Sequence, residues 1–87
     1  MKEEWVNSFR IKLEQYYSWP ALYTFKFIVP KGKEDEIINM FPQHVTNQKP
    51  SREGNYISIT FQIMAPSSDV VIEVYQKAAT IEGVIAL

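Results

Sequence analysis

Tyr56-Ile57-Ser58-Ile59-Thr60-Phe61-Gln62-Ile63-Met64 is the stretch that decides the fold. Ile57, Ile59, Phe61 and Ile63 point one way, and Tyr56, Ser58, Thr60, Gln62 and Met64 the other. That two-residue period marks a strand with one dry face and one wet face. The run from Leu22 to Val29 repeats it, with Tyr23, Phe25, Phe27 and Val29 opposed to Leu22, Thr24, Lys26 and Ile28. Two such apolar rows are expected to mate in adjacent strands over one core.

Working outward, Pro50-Ser51-Arg52-Glu53-Gly54-Asn55 is a turn segment, with Gly54-Asn55 suited to positive φ. It makes a hairpin partner of the weak, polar strand expected over His44 to Lys49. After Met64, Pro66-Ser67-Ser68-Asp69 starts a helix with a Ser as N-cap, and Val71, Val74, Tyr75 and Ala78 form its buried stripe. Glu82-Gly83 turns the chain into a last short strand, Val84 to Leu87. On the other side, Pro30-Lys31-Gly32 ends the first strand. Glu34-Asp35-Glu36 then sits where a helix N-terminus favours negative charge, Ile37, Ile38 and Phe41 supply a short stripe, and Pro42 closes that helix. Residues 3–17 read as an amphipathic helix with Trp5, Phe9, Leu13 and Tyr16 on one stripe, Val6 beside it and Ile11 off it. Ser18-Trp19-Pro20 stops it, because the residue before a proline is driven out of the α region.

The order is helix, then β-α-β-β-α-β. This predicts an α+β, ferredoxin-like sandwich: an antiparallel four-stranded sheet of order 4-1-3-2, both later helices on one face, and an extra N-terminal helix. Residues 1–18 are expected as that helix and 19–87 as the domain proper.

Composition narrows the chemistry. Eighty-seven residues make one small domain with a thin stability margin that self-association would widen. Zero Cys removes thiol nucleophiles, disulfides and Cys-type metal sites, and a single His removes any His-rich centre. A net charge of −1 argues against a polyanion-binding role. Glu3, Glu4, Arg10, Lys12 and Glu14 break any signal-peptide core, and no apolar run approaches the roughly 20 residues of a membrane span. A cytoplasmic location without membrane contact is expected.

Lys49-Pro50-Ser51-Arg52-Glu53-Gly54-Asn55-Tyr56-Ile57-Ser58-Ile59-Thr60 resembles the hairpin of the YbeD-like family of small bacterial proteins, Lys-Pro-Ser-x-x-Gly-Asn-Tyr followed by a Ser/Thr-alternating strand. Pro20-Ala21-Leu22-Tyr23-Thr24-Phe25-Lys26 is similar to the family's opening strand, and Val74-Tyr75 and Ile81-Glu82-Gly83-Val84-Ile85-Ala86-Leu87 to its second helix and last strand. The likeness covers about residues 19–87. The first helix of the domain is short here, and the N-terminal helix is longer than the family's usual lead-in. The resemblance implies a fold similar to ACT-type regulatory domains, which bind small effectors such as amino acids, usually as dimers. Fold likeness is only an analogy for function.

The topology puts the first strand-to-helix loop and the hairpin tip at one end of the sheet. Lys31 and Lys33 then approach Lys49 and Arg52, and this group is the candidate site for a carboxylate or phosphate. The plain alternative is a set of solvated charges partly cancelled by Glu34, Asp35, Glu36 and Glu53. Gly54-Asn55-Tyr56 reads as turn chemistry, with ligand contact through Asn55 as the alternative.

The open sheet face would show Thr24, Lys26, Tyr56, Ser58, Thr60 and Gln62, either solvated or partly covered by the N-terminal helix. Tyr56 is its one aromatic, at a strand end, so RNA stacking on the central strands is not expected. The stripe of Trp5, Phe9, Leu13 and Tyr16 serves either the protein's own core or an interface with a partner or second copy. His44 stands alone, so no metal site is expected.

No serine has a credible base, the loop Pro30-Lys31-Gly32-Lys33 lacks the Arg an acylphosphatase needs, and the glycines are scattered. The reading is a non-catalytic, cofactor-free regulatory or binding module, a homodimer that senses a small anionic metabolite. The alternative is a protein-interaction adaptor working through the aromatic N-terminal helix.

Overall fold

The computed structural model describes residues 3–44 and 46–87. Met1 and Lys2, expected at the start of the N-terminal helix segment 1–18, lie outside the described residues, as does Val45, expected within a strand from His44. In chain order the elements are α1 (Glu3–Tyr16), β1 (Ala21–Pro30), α2 (Glu34–Met40), β2 (Asn47–Pro50), β3 (Tyr56–Ala65), α3 (Ser68–Ala78) and β4 (Ile85–Ala86).

The two alternating runs lie side by side. β1 and β3 pair antiparallel over their whole lengths, with Phe25 opposite Phe61, Phe27 opposite Ile59 and Val29 opposite Ile57. β2 adds to the far side of β3 and β4 to the far side of β1, giving the order β2-β3-β1-β4. This is the expected 4-1-3-2 order, read from the other edge. Phe25, Phe27, Val29, Ile59, Phe61 and Ile63 are buried with Ile37 of α2 and with Val71, Ile72, Val74, Tyr75 and Ala78 of α3. Tyr75 sits at the centre, its ring 5.2 Å from Phe25 and 5.6 Å from Phe27, edge to face in both cases. Such contacts add to the apolar burial and fix the angle at which α3 crosses the sheet.

α1 joins this helical layer and leaves the opposite sheet face uncovered. Phe9 meets Tyr75 edge-on at 5.3 Å, Trp5 lies 4.9 Å from Phe9, and Leu13 is only 3% exposed. Arg10 is ion-paired with Asp69 in the first turn of α3. Ile11 faces solvent, as its place off the stripe requires. Tyr16 does not follow the stripe: it is 80% exposed, because the helix ends there and the chain turns away. Tyr17 takes the inner position instead, 5.4 Å from Tyr23.

Two local expectations are corrected. The first hairpin strand runs over Asn47–Pro50 rather than His44 to Lys49. His44 sits in a bend, its backbone N–H donating to the Phe41 carbonyl (3.2 Å) and its ring 6.3 Å from Phe61. The hairpin turn takes positive φ at Gly54 (+77°) alone, and Asn55 keeps a negative φ. Ser67 is the N-cap of α3 by position, without a side-chain capping bond.

Candidate functional site

The hairpin between β2 and β3 is held by its own turn chemistry. Ser51 N–H donates to the Tyr56 carbonyl (2.8 Å), Tyr56 N–H donates to Ser51 Oγ (3.2 Å), and Gly54 N–H donates to the Ser51 carbonyl (3.0 Å). The loop after β1 lies against it, since Lys31 N–H donates to the Asn55 carbonyl (2.9 Å). The two segments therefore share one end of the sheet.

Their cations separate into two groups. Lys33 is engaged by Glu36 at 3.2 Å, and Glu34 Oε2 accepts from Gly32 N–H at 2.8 Å, so this loop is already served by the protein's own carboxylates. Lys31 is exposed beside it. Lys49 and Arg52 instead border a concavity of about 580 Å³ on the open sheet face, together with Lys26. Asn55 lines a smaller hollow of about 270 Å³ next door, with Arg52, Glu53 and Tyr56.

Strand register builds the larger concavity. Ile28 of β1 stands opposite Ser58 of β3, which stands opposite Lys49 of β2. The three side chains form one row across three strands and emerge on the same face, because paired residues of a sheet point the same way. Ser58 is the small member, so the middle of the row is low and its ends are high. Lys26 stands one row further along, opposite Thr60, and Tyr56, Pro50, Ser51 and Arg52 close the hairpin end.

Among the described residues no carboxylate lines this concavity, and Lys26, Lys49 and Arg52 take part in no ion pair. Its chemistry is three cations, the hydroxyls of Ser51 and Ser58, and the apolar surfaces of Ile28 and Tyr56. Volumes of roughly 300–1,000 Å³ are those of small-molecule sites. The arrangement can hold an anion and cover an apolar body. It has no carboxylate or imidazole to move a proton, and His44 packs on Phe61 elsewhere.

Sequence reasoning placed Lys26 on the open face but did not join it to Lys49 and Arg52, and it gave Ile28 no role. The missing signal was the register of three strands, which a single alternating pattern does not contain.

The aromatic stripe is consumed within the molecule only in part, with Tyr16 exposed and Trp5 half-exposed. Phe9 and Leu13 pack against α3 and the core, and Trp5 covers Phe9 and the edge of Tyr75. A second concavity, about 430 Å³, opens where α1 leaves β1, between Phe9, Lys12, Leu13, Tyr16, Tyr17 and Tyr23. The Tyr23 and Tyr75 hydroxyls are hydrogen-bonded at 3.2 Å below it, and burial, reinforced by that bond, pushes the Tyr75 phenol above its ordinary range. Among the described residues no group of three His, Asp or Glu converges as a metal site requires, and no helix is long and apolar enough to cross a membrane.

Comparison with known proteins converges on one family. The family described as "Protein of unknown function (DUF493)" matches residues 14–87. A UPF0250 protein of Shewanella amazonensis is 28% identical over 78 residues, 82% of this chain and 89% of the relative. UPF0250 proteins from strains of Haemophilus influenzae are 30% identical over 80 residues, 84% of this chain and 87% of theirs. No solved structure matches the chain. The family match takes in the end of α1, the whole sheet and the hairpin that lines the concavity, and on it the chain belongs to DUF493, the YbeD-like family that the Lys49–Tyr56 motif resembles.

Proposed function

We propose that this chain is a non-catalytic binding module of ferredoxin-like, ACT-like architecture that takes a small anionic metabolite on its open sheet face. The observation that carries the reading is the trio Lys26, Lys49 and Arg52 around one concavity with no carboxylate among its lining residues. Three uncompensated cations on neighbouring strands raise the local potential and favour an anion, where dispersed surface charges would be screened. The reading keeps two of the residues expected from sequence, Lys49 and Arg52, and gives Lys31, Lys33 and Asn55 at most a flanking part. It also suits a regulatory role in the cytoplasm as a homodimer, since a second copy would add stability to a chain of 87 residues.

A thermal-shift screen of carboxylated and phosphorylated metabolites tests it. A ligand present at a hundred times its Kd stabilises by about 2.7 kcal/mol. That corresponds to roughly 10–20 °C for a chain of this size. The expected result is at least one such ligand whose shift disappears in Lys49→Ala/Arg52→Ala. A silent panel, or an undiminished shift in the double variant, refutes the proposal.

A second reading has one observation in its favour. Ile11 and Tyr16 are exposed large apolar groups on α1, turned away from the core. They would serve an adaptor that binds a protein partner through the outer side of the helix, leaving Phe9 and Leu13 in place.

A further inference from the structure

The open-face concavity discriminates between kinds of anion, and this inference rests on the binding reading above. An amino acid carries a carboxylate and an α-ammonium, so a site for it needs an acidic or strongly accepting partner for the ammonium. The lining of Lys26, Ile28, Lys49, Pro50, Ser51, Arg52, Tyr56 and Ser58 contains no Asp or Glu. The nearest acid in sequence, Glu53, lines the neighbouring hollow with Asn55 and not this one. An ammonium placed over Ser58 would lie among three like charges, an arrangement that disfavours binding. Two or more negative charges on the ligand, by contrast, match the cation count.

The apolar side of the site is equally directed. Ile28 and Lys49 stand at the two ends of one row with Ser58 between them. Strands lie about 4.8 Å apart, so these ends are roughly 10 Å from each other across the low middle. A flat apolar body fits over Ser58 against Ile28, with the exposed Tyr56 ring closing one end. Its anionic group then lies toward Lys49 and Arg52, where a guanidinium can grip two oxygens at once.

We infer that the concavity of Lys26, Lys49, Arg52, Ile28 and Tyr56 selects a dianionic ligand with a planar apolar body and rejects zwitterionic amino acids. The ACT-type expectation of an amino-acid effector is thereby replaced by the class of aryl phosphates and their dianionic equivalents.

The test is titration of the ¹⁵N-labelled full chain with phenyl phosphate, inorganic phosphate and phenylalanine, following the backbone amides of Tyr56 and Ser58. Phenyl phosphate is expected to move both, binding about tenfold or more tightly than inorganic phosphate, with phenylalanine leaving them still. Arg52→Ala is expected to weaken phenyl phosphate at least about tenfold, in line with the loss of a charge-assisted pair. Lys77→Ala, on α3 at the other side of the sheet, should change nothing, and the dispersion of each spectrum reports that the variant is folded. Phenylalanine binding as tightly as phenyl phosphate at the same amides overturns the inference but keeps the anion-binding reading. Equal affinity for the two phosphates overturns the role of Ile28 and Tyr56, and with it the inference. Silence from all three probes also overturns it, whereas the binding reading falls only if the wider metabolite panel is silent too.

Discussion

Replacing Leu13 by alanine decides whether α1 belongs to the domain or merely precedes it. Leu13 is 3% exposed and part of the buried cluster, while Ile11 on the same helix is 60% exposed. Truncating a buried leucine costs about 2–5 kcal/mol, the transfer of the lost atoms plus the cavity they leave. We take ~3 kcal/mol for a site roofed by one helix. At roughly 0.05–0.15 kcal/mol per residue the whole chain holds about 4–13 kcal/mol. One methyl-rich side chain therefore carries a quarter or more of the margin. At 4–8 °C per kcal/mol for small domains, the melting temperature should fall by about 12–24 °C. Ile11→Ala removes a similar side chain from the solvent side and should stay within about 0.5 kcal/mol of the parent. Urea unfolding followed by Trp fluorescence and by far-ultraviolet circular dichroism measures both variants with one pair of probes. If Leu13→Ala costs no more than Ile11→Ala, α1 is not docked on α3 and the Trp5-Phe9-Tyr75 contacts do not hold in solution. The same result would free the whole aromatic stripe for a partner and favour the adaptor reading.

Two further outcomes follow from particular contacts. Gly83 has φ +80°, and a Cβ there would lie 2.8 Å from Cγ of Pro30, whereas Gly54 at φ +77° has open space around it. Gly54→Ala should cost about 1–2 kcal/mol for the left-handed backbone alone. Gly83→Ala should cost about 1–3 kcal/mol more for the overpacking against a stiff ring; equal costs in urea titrations would show that the turn before β4 does not lie against Pro30. Tyr75 gives a pH signature. Burial raises its folded-state pKa above the unfolded value, so its contribution is complete below about pH 10. Above that the unfolded chain gives up the phenol proton first, and stability falls with a slope of up to about 1.4 kcal/mol per pH unit. Urea midpoints from about pH 9 to 11 should fall more steeply for the parent than for Tyr75→Phe, and parallel curves would contradict the buried phenol.

What the sequence disclosed depended on how many strands a feature needs. The faces of Leu22–Val29 and Tyr56–Met64 are each visible in one alternating run, and their pairing follows because two dry faces must meet. The strand Asn47–Pro50 is exposed at all four residues and carries no apolar row. Its place is set by the ladder to β3, so its limits could not be read locally. The stripe on α1 was visible too, but not the surface it would meet, nor that Tyr16 at the helix end would swing out and Tyr17 in.

The binding concavity lies at the far end of this scale, because it needs three strands in register. Lys26 faces the open side because Phe25 and Phe27 face the core. Lys49 does so only because it stands opposite Ser58, whose neighbours Ile57 and Ile59 point inward. All four residues of β2 are exposed, so no apolar face of its own fixes this register. The ladder to β3 does, with Gln48 opposite Ile59, Lys49 opposite Ser58 and Pro50 opposite Ile57. A slip of β2 by one residue would turn Lys49 to the other face and take it out of the row with Ser58 and Ile28. The same pairing that completes this edge of the sheet therefore assembles the cationic face.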